Sequence, residues 1–295
     1  MRKFVNKAIF FLLFFIGLSV LINSLYLLLI TKTDWNFAKR IESIRWEDPD
    51  FELLALGTSL GDYGLDAELL TKEGIKSFNL ALVGGSIQTS YVQLKEYLEK
   101  YEQDPRYVLL FVNAHLEEFN QDGIQPLVEF TMKGQKIDLK DVPISKFQWQ
   151  THELFKKALS PSYRSGYTSY GQTRRNSVTP DMSEYQDLEF DLEKYQSAIW
   201  IGEMATLCNE RGIEFIVIDI PGIRETQNIS EIGPYDLRLD NGQKAVLYNL
   251  NSREFCKFID TEKDWSGMSH FNEYGAAKFT TELLKILREN HEPNT

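Results

Sequence analysis

The sequence predicts an α/β fold built on a parallel sheet, preceded by one apolar helix long enough to cross a membrane. Three observations predict this. Residues 8–30 carry no charge; short runs at 51–56, 75–80, 107–112 and 213–218, apolar in all but the second, read as strands; and helical spacing returns between them. Continuous apolar runs suit strands covered on both faces, and strands alternating with helices suit a parallel sheet.

The first 30 residues divide in two. Residues 1–7 form a basic flank with Arg2, Lys3 and Lys7, and 8–30 form the uncharged span. As a helix, 23 residues at ~1.5 Å each cover roughly 34 Å, enough for a bilayer. No small-residue cleavage site precedes Lys32, so the span is expected to be retained as an anchor rather than removed as a signal peptide. The basic flank is expected to stay in the cytoplasm, which places the rest of the chain outside the cytoplasmic membrane, held there through 8–30.

Residues 31–50, of mixed charge with a turn at Asp48-Pro49-Asp50, read as a stalk, and the domain proper is expected over 51–290. Its first strand, 51–56, ends at Gly57. A short helix over 66–72 and a second strand over 75–80 follow. Residues 86–101 place Ile87, Tyr91, Leu94 and Leu98 at helical spacing. The third strand, 107–112, opens a long insertion at about 115–192, rich in Ser, Tyr, Gly and Arg in its middle. Segments of that length are lids, binding loops or mobile surface. Tyr163, Tyr167 and Tyr170 could stack on sugar rings, and Arg174 and Arg175 could bind a carboxylate or phosphate; the same residues also suit a solvated loop. A helix over 193–211 stops at Gly212, a fourth strand covers 213–218, a short fifth strand is expected at 255–259, and a final helix at 272–289.

Composition excludes some functions. The net charge is −11, and the three basic residues of the flank leave −14 on the remainder, a surface that repels phosphate backbones; nucleic acid is not an expected partner. The two cysteines, Cys208 and Cys256, could pair or stay as two small thiols. No His/Cys spacing suggests a metal site, and no phosphate-binding glycine loop suggests a nucleotide, so no cofactor is expected.

Ligands of open parallel sheets bind beyond the carboxyl ends of the strands, which draws attention to 57–62, 79–85, 113–117 and 219–224. Ser59 follows the first strand beside Gly57. A serine hydroxyl is a poor nucleophile until a base takes its proton. Among the histidines, His152 lies in the insertion, His291 in the terminal tail and His115 after the third strand with Glu117 and Glu118. Only His270 directly precedes the final helix, for which Asn272 is a suitable N-cap.

These segments resemble, in order, the four blocks of the SGNH (GDSL-like) hydrolase superfamily. Gly57-Thr58-Ser59-Leu60 resembles the first, with Thr58 for its aspartate. Asn79-Leu80-Ala81-Leu82-Val83-Gly84 resembles the second, with Ala81 for its first glycine. Phe111-Val112-Asn113 resembles the third without its glycine and aspartate, and Ser269-His270-Phe271-Asn272 with Gly275 resembles the histidine block. The resemblance implies a three-layer α/β/α, flavodoxin-like domain. It also implies Ser59 as nucleophile, His270 as general base, and an oxyanion hole of the Ser59 and Gly84 N–H groups with the Asn113 side chain. The family's aspartate three residues before the histidine is Gly267 here; Asp264 is the nearest carboxylate able to orient the imidazole, and Asp260 the next. Anchored members of the superfamily serve in O-acylation of cell-envelope polysaccharides beside a multi-span membrane acyltransferase. The expected function is therefore an esterase or O-acyltransferase on acylated carbohydrate or another small ester, the alternative a catalytically degenerate scaffold or glycan-binding protein.

Overall fold

The structure, a computed structural model, describes residues 1–113, 119–132, 139–151, 154, 157, 159, 166–178, 186–188, 190–222, 225–227, 231–267 and 270–291. His115, Glu117, Glu118, His152, Tyr163 and Ser269 lie outside the described residues. The chain divides into two compact units, one of residues 1–44 with 129–165 and one of 45–128 with 166–295. The division falls inside both the segment expected as a stalk and the long insertion.

The larger unit is built on a sheet of β1 (Leu53–Gly57), β2 (Ser77–Asn79), β3 (Tyr107–Val112), β5 (Glu214–Asp219), β7 (Tyr235–Arg238) and β8 (Lys244–Asn249), in the order β2-β1-β3-β5-β8-β7. All neighbouring pairs are parallel except the edge pair β7–β8. A separate two-stranded ladder joins β4 (Gln186–Leu188) to β6 (Glu225–Gln227).

Side chains alternate across a strand, so each apolar run feeds two cores. Leu54, Leu56, Val108, Leu110 and Val217 pack with Leu94 and Leu98 of the helix Ile87–Lys100, and with Met204 and Cys208 of the helix Ile199–Arg211. Leu53, Ala55, Leu109, Phe111, Ile216 and Ile218 pack on the other face, against Leu60, Leu70 and the final helix's Phe279, Leu283 and Leu287. The result is the expected three-layer α/β/α arrangement.

Two expectations are corrected. Residues Arg253–Cys256 are a short helix capped by Ser252, and the fifth parallel strand is β8 instead. The pair β7–β8 is closed by a turn at Asp240-Asn241-Gly242, with Gly242 at φ +82°. An Asn-Gly turn between apolar runs is a hairpin signal, and 244–249 is the run that follows it. The helix expected over 193–211 is two, Leu192–Gln196 and Ile199–Arg211. The cysteines do not pair: Cys208 is buried in the core, its thiol pushed up to about 12 by desolvation.

The smaller unit contains α1 (Arg2–Thr33), long and apolar enough to cross a bilayer. It is followed by α2 (Trp35–Ser43), which Asp34 caps by accepting from the N–H of Phe37 at 3.3 Å. Phe37 packs edge-on against Phe147, ring centres 4.6 Å apart.

Candidate active site

The chain leaves β1 for β2 on one side and then crosses back to β3 on the other, so the carboxyl ends of β1 and β3 flank the point where strand order reverses. Such a point is where open α/β sheets leave a crevice. Ser59 follows β1 and Asn113 follows β3.

Ser59 opens the one-and-a-half-turn helix α3 (Ser59–Gly64), capped by Thr58. Two glycines hold that helix close to the sheet. At Gly57, φ +137°, a Cβ would lie 2.4 Å from the Phe111 carbonyl; at Gly61 it would lie 3.0 Å from the Phe111 Cβ. Asn79 ties the same turn down. Fully buried, it donates to the carbonyls of Gly61 (2.8 Å) and Leu65 (3.2 Å), while its own carbonyl accepts from the Ala81 N–H.

His270 is carried by a tight loop. Trp265 and Phe271 form an antiparallel bridge, and the Ser266 N–H donates to the His270 carbonyl at 2.8 Å. Asn272 then caps the last helix, accepting from the N–H groups of Tyr274 and Gly275 at 3.0 Å each, and donates to the Lys263 carbonyl. Gly275 is required because a Cβ there would lie 2.2 Å from the Asp264 carbonyl. On this pedestal His270 Nε2 meets Ser59 Oγ at 2.8 Å, hydrogen-bonding distance across 211 residues of sequence.

The other expected site residues fall in different places. Asn113 is fully buried and anchors its amide on the Ile220 carbonyl at 2.9 Å, beside Gly222. Gly84 sits in an exposed turn with φ +70°. Asp264 does not hydrogen-bond to His270. Its carboxylate accepts from the Asp260 N–H (2.7 Å) and from Lys278 (2.6 Å), and it is almost wholly buried there. The bridge between Trp265 and Phe271 turns His270 away while Asp264 pairs through its carbonyl with the Asn272 N–H, so the fold-back expected to join them does not occur. Arg174 is likewise engaged elsewhere, on Asp66 and Glu68 (3.1 and 2.7 Å), and clamps the insertion to the body.

Residues 166–174 form a hairpin that docks on Asn79 and Asp62. Its Tyr170 carbonyl accepts from the Asn79 N–H, the Thr173 N–H donates to the Asp62 carbonyl, and Tyr167 bridges Thr173. It delivers Arg175, whose guanidinium lies 3.8 Å from the centre of the Tyr63 ring and donates to the Ser266 carbonyl. Tyr63 in turn meets the His270 ring edge-on at 5.0 Å. Tyr63 was not singled out from the sequence, and Asn79 was named only as the first residue of the second block, not for its hold on the carbonyls of Gly61 and Leu65. Tyr63 lies four residues after Ser59 on one helical face, but the glycines at 61 and 64 suppress the helical signal.

Burial and, next, the positive charge of Arg175 push the His270 imidazole down to about 4. The unfolded chain binds this proton near the ordinary value of 6.5. The associated stability is therefore complete above about 6.5 and is lost as pH falls toward 4. The imidazole stays neutral and able to accept a proton through the same interval. The His270 titration, followed by its ring-proton NMR signals, is expected near pH 4 rather than 6.5, and Arg175→Gln is expected to move it upward. An unchanged midpoint in Arg175→Gln counts against Arg175 acting on the imidazole.

No protein-family model and no curated protein matches the sequence. Among solved structures, the chain is similar to one described as "a putative platelet activating factor from Streptococcus pneumonia", with 12% identity, TM-score 0.40 and coverage of 92% of this chain and 99% of that one. It is also similar to AlinE4, an SGNH-hydrolase family esterase, with 11% identity, TM-score 0.30 and coverage of 84% and 100%.

Proposed function

We propose that this chain is a serine esterase whose acyl-enzyme forms on Ser59, with His270 as general base. The observation that carries the reading is the 2.8 Å contact between Ser59 Oγ and His270 Nε2 at the strand-order reversal of a parallel sheet. In the reaction, Nε2 takes the hydroxyl proton as Oγ attacks the ester carbonyl. The tetrahedral oxyanion is then met by the N–H groups of Ser59 and Gly84 and by the Asn113 amide. The imidazolium returns the proton to the leaving alcohol. Water, or a sugar hydroxyl in a transferase, then attacks the acyl-enzyme.

The finer reading rests on the resemblance described above: the ester is an acylated cell-envelope glycan, a multi-span membrane acyltransferase is the partner, and the catalytic unit lies outside the cytoplasmic membrane. Tyr167 and Tyr170 of the hairpin, and Arg175 just after it, are the residues offered for substrate contact. A second reading, a degenerate scaffold or glycan-binding protein, draws support from Asp264, whose carboxylate is held by Lys278 instead of orienting the base.

A fluorophosphonate probe separates the two, since it reports an activated serine without regard to substrate. Labelling of the full chain, located on Ser59 by peptide mass and lost in His270→Ala, is the expected result. A folded protein that stays unlabelled favours the scaffold.

A further inference from the structure

From the contacts of α1 we propose that residues 143–151 form a collar embedded in the lipid interface, with Trp149 and Ile144 inserted among the acyl chains. This rests on α1 being a membrane anchor and is independent of the esterase chemistry.

From Arg2 to Ile22 every residue of α1 is exposed. Beyond that point its two faces differ. Asn23, Tyr26, Leu27 and Ile30, spaced as one helical face, are covered, while Leu25, Leu28 and Leu29 stay 50%, 52% and 42% exposed. Residues 143–151 provide part of the cover. The Ile144 N–H donates to the Asn23 side chain at 3.1 Å, and the Tyr26 hydroxyl meets the Phe147 carbonyl and the Thr151 hydroxyl, each at 2.8 Å.

Leu25, Leu28 and Leu29 set the depth. An uncovered leucine face on a membrane helix is stable only in lipid, so the bilayer reaches at least the level of Leu28 and Leu29. The collar is bonded to the opposite face at the level of residues 23–26, nearer the bilayer centre than Leu28. It therefore cannot stand clear of the membrane while those leucines are within it. Its own surface matches that position. Trp149 is 70% exposed and Ile144 42% exposed, whereas Lys146 is drawn into ion pairs with Glu129 and Asp141. A tryptophan with its apolar ring in lipid and its N–H near the headgroups is the usual occupant of this zone. The polar backbone of the two short turns, Pro143–Lys146 and Gln148–Gln150, places the collar at the interface rather than deeper.

The test is tryptophan quenching in the full-length protein, reconstituted into phosphatidylcholine–phosphatidylglycerol vesicles carrying dibrominated acyl chains. Because other tryptophans contribute, the readout is the difference between wild type and Trp149→Phe, a substitution at an exposed site that leaves the fold intact. A blue-shifted, bromine-quenched component present in wild type and absent from Trp149→Phe is expected. Vesicle flotation is measured in parallel. Flotation with identical quenching in both proteins overturns the collar and leaves the surface to water or to a protein partner. Failure of the wild type to float overturns the anchoring of α1, and the collar with it.

Discussion

Ser59→Ala, His270→Ala and the double variant are expected to share one residual activity on p-nitrophenyl acetate, on the order of 10⁶-fold below wild type. The reason is the single hydrogen bond between Ser59 Oγ and His270 Nε2. Without the imidazole the hydroxyl keeps its proton through the attack; without the hydroxyl the imidazole has no nucleophile to activate. Each substitution therefore removes the whole unit, and the second adds little. Both side chains are partly exposed, so the truncations leave no large cavity, and melting temperatures should stay close to wild type. Losses that multiply in the double variant, or full turnover in Ser59→Ala, would remove Ser59 from the role of nucleophile.

Gly57→Ala is expected to destabilise the protein by about 3 kcal/mol or more and to abolish serine labelling in whatever fraction folds. Two costs add at this position. The φ of +137° is one that a side chain rarely adopts, and the new Cβ would sit 2.4 Å from the Phe111 carbonyl. That oxygen cannot move aside, because Phe111 belongs to β3, paired with β1 on one edge and β5 on the other. The strain falls two residues before Ser59, where any shift of the backbone carries its hydroxyl away from His270. Gly74→Ala is the control: its φ is +100°, but nothing lies within 4 Å of the added Cβ, so it should cost only about 1–2 kcal/mol. Urea unfolding of the two variants checks the difference, and equal losses would mean that close approach to Phe111 is not what fixes the glycine.

Much of this protein could be read from the chain because the features concerned are local and repeated. Three apolar runs carry both faces of a covered sheet, so their positions as β1, β3 and β5 follow from hydrophobic pattern; β2, in the half-polar stretch 75–80, was placed by its alternation with the helices around it. The uncharged span carries its own length. The places of Ser59, Asn113 and His270 at strand ends and before the last helix were legible from Gly57, the end of an apolar run and Asn272 as cap; their proposed roles came from the resemblance to the four family blocks. Weak local signals failed. The helix Ser59–Gly64 is too short and too rich in glycine to show a period, so Tyr63 was not placed beside the histidine.

Partnerships between distant groups were decided only by the tertiary structure. Sequence proximity offered Asp264 to His270, but the bridge from Trp265 to Phe271 sends that carboxylate to Lys278, one turn into the final helix. Composition made Arg174 and Arg175 equivalent. Consecutive residues of an extended segment face opposite ways, however, so Arg174 reaches Asp66 and Glu68 while Arg175 reaches Tyr63. A hydrophobic period reports which face of a segment is buried. It cannot report which of several charged groups a side chain meets there, because that choice is made by loops whose course only packing fixes.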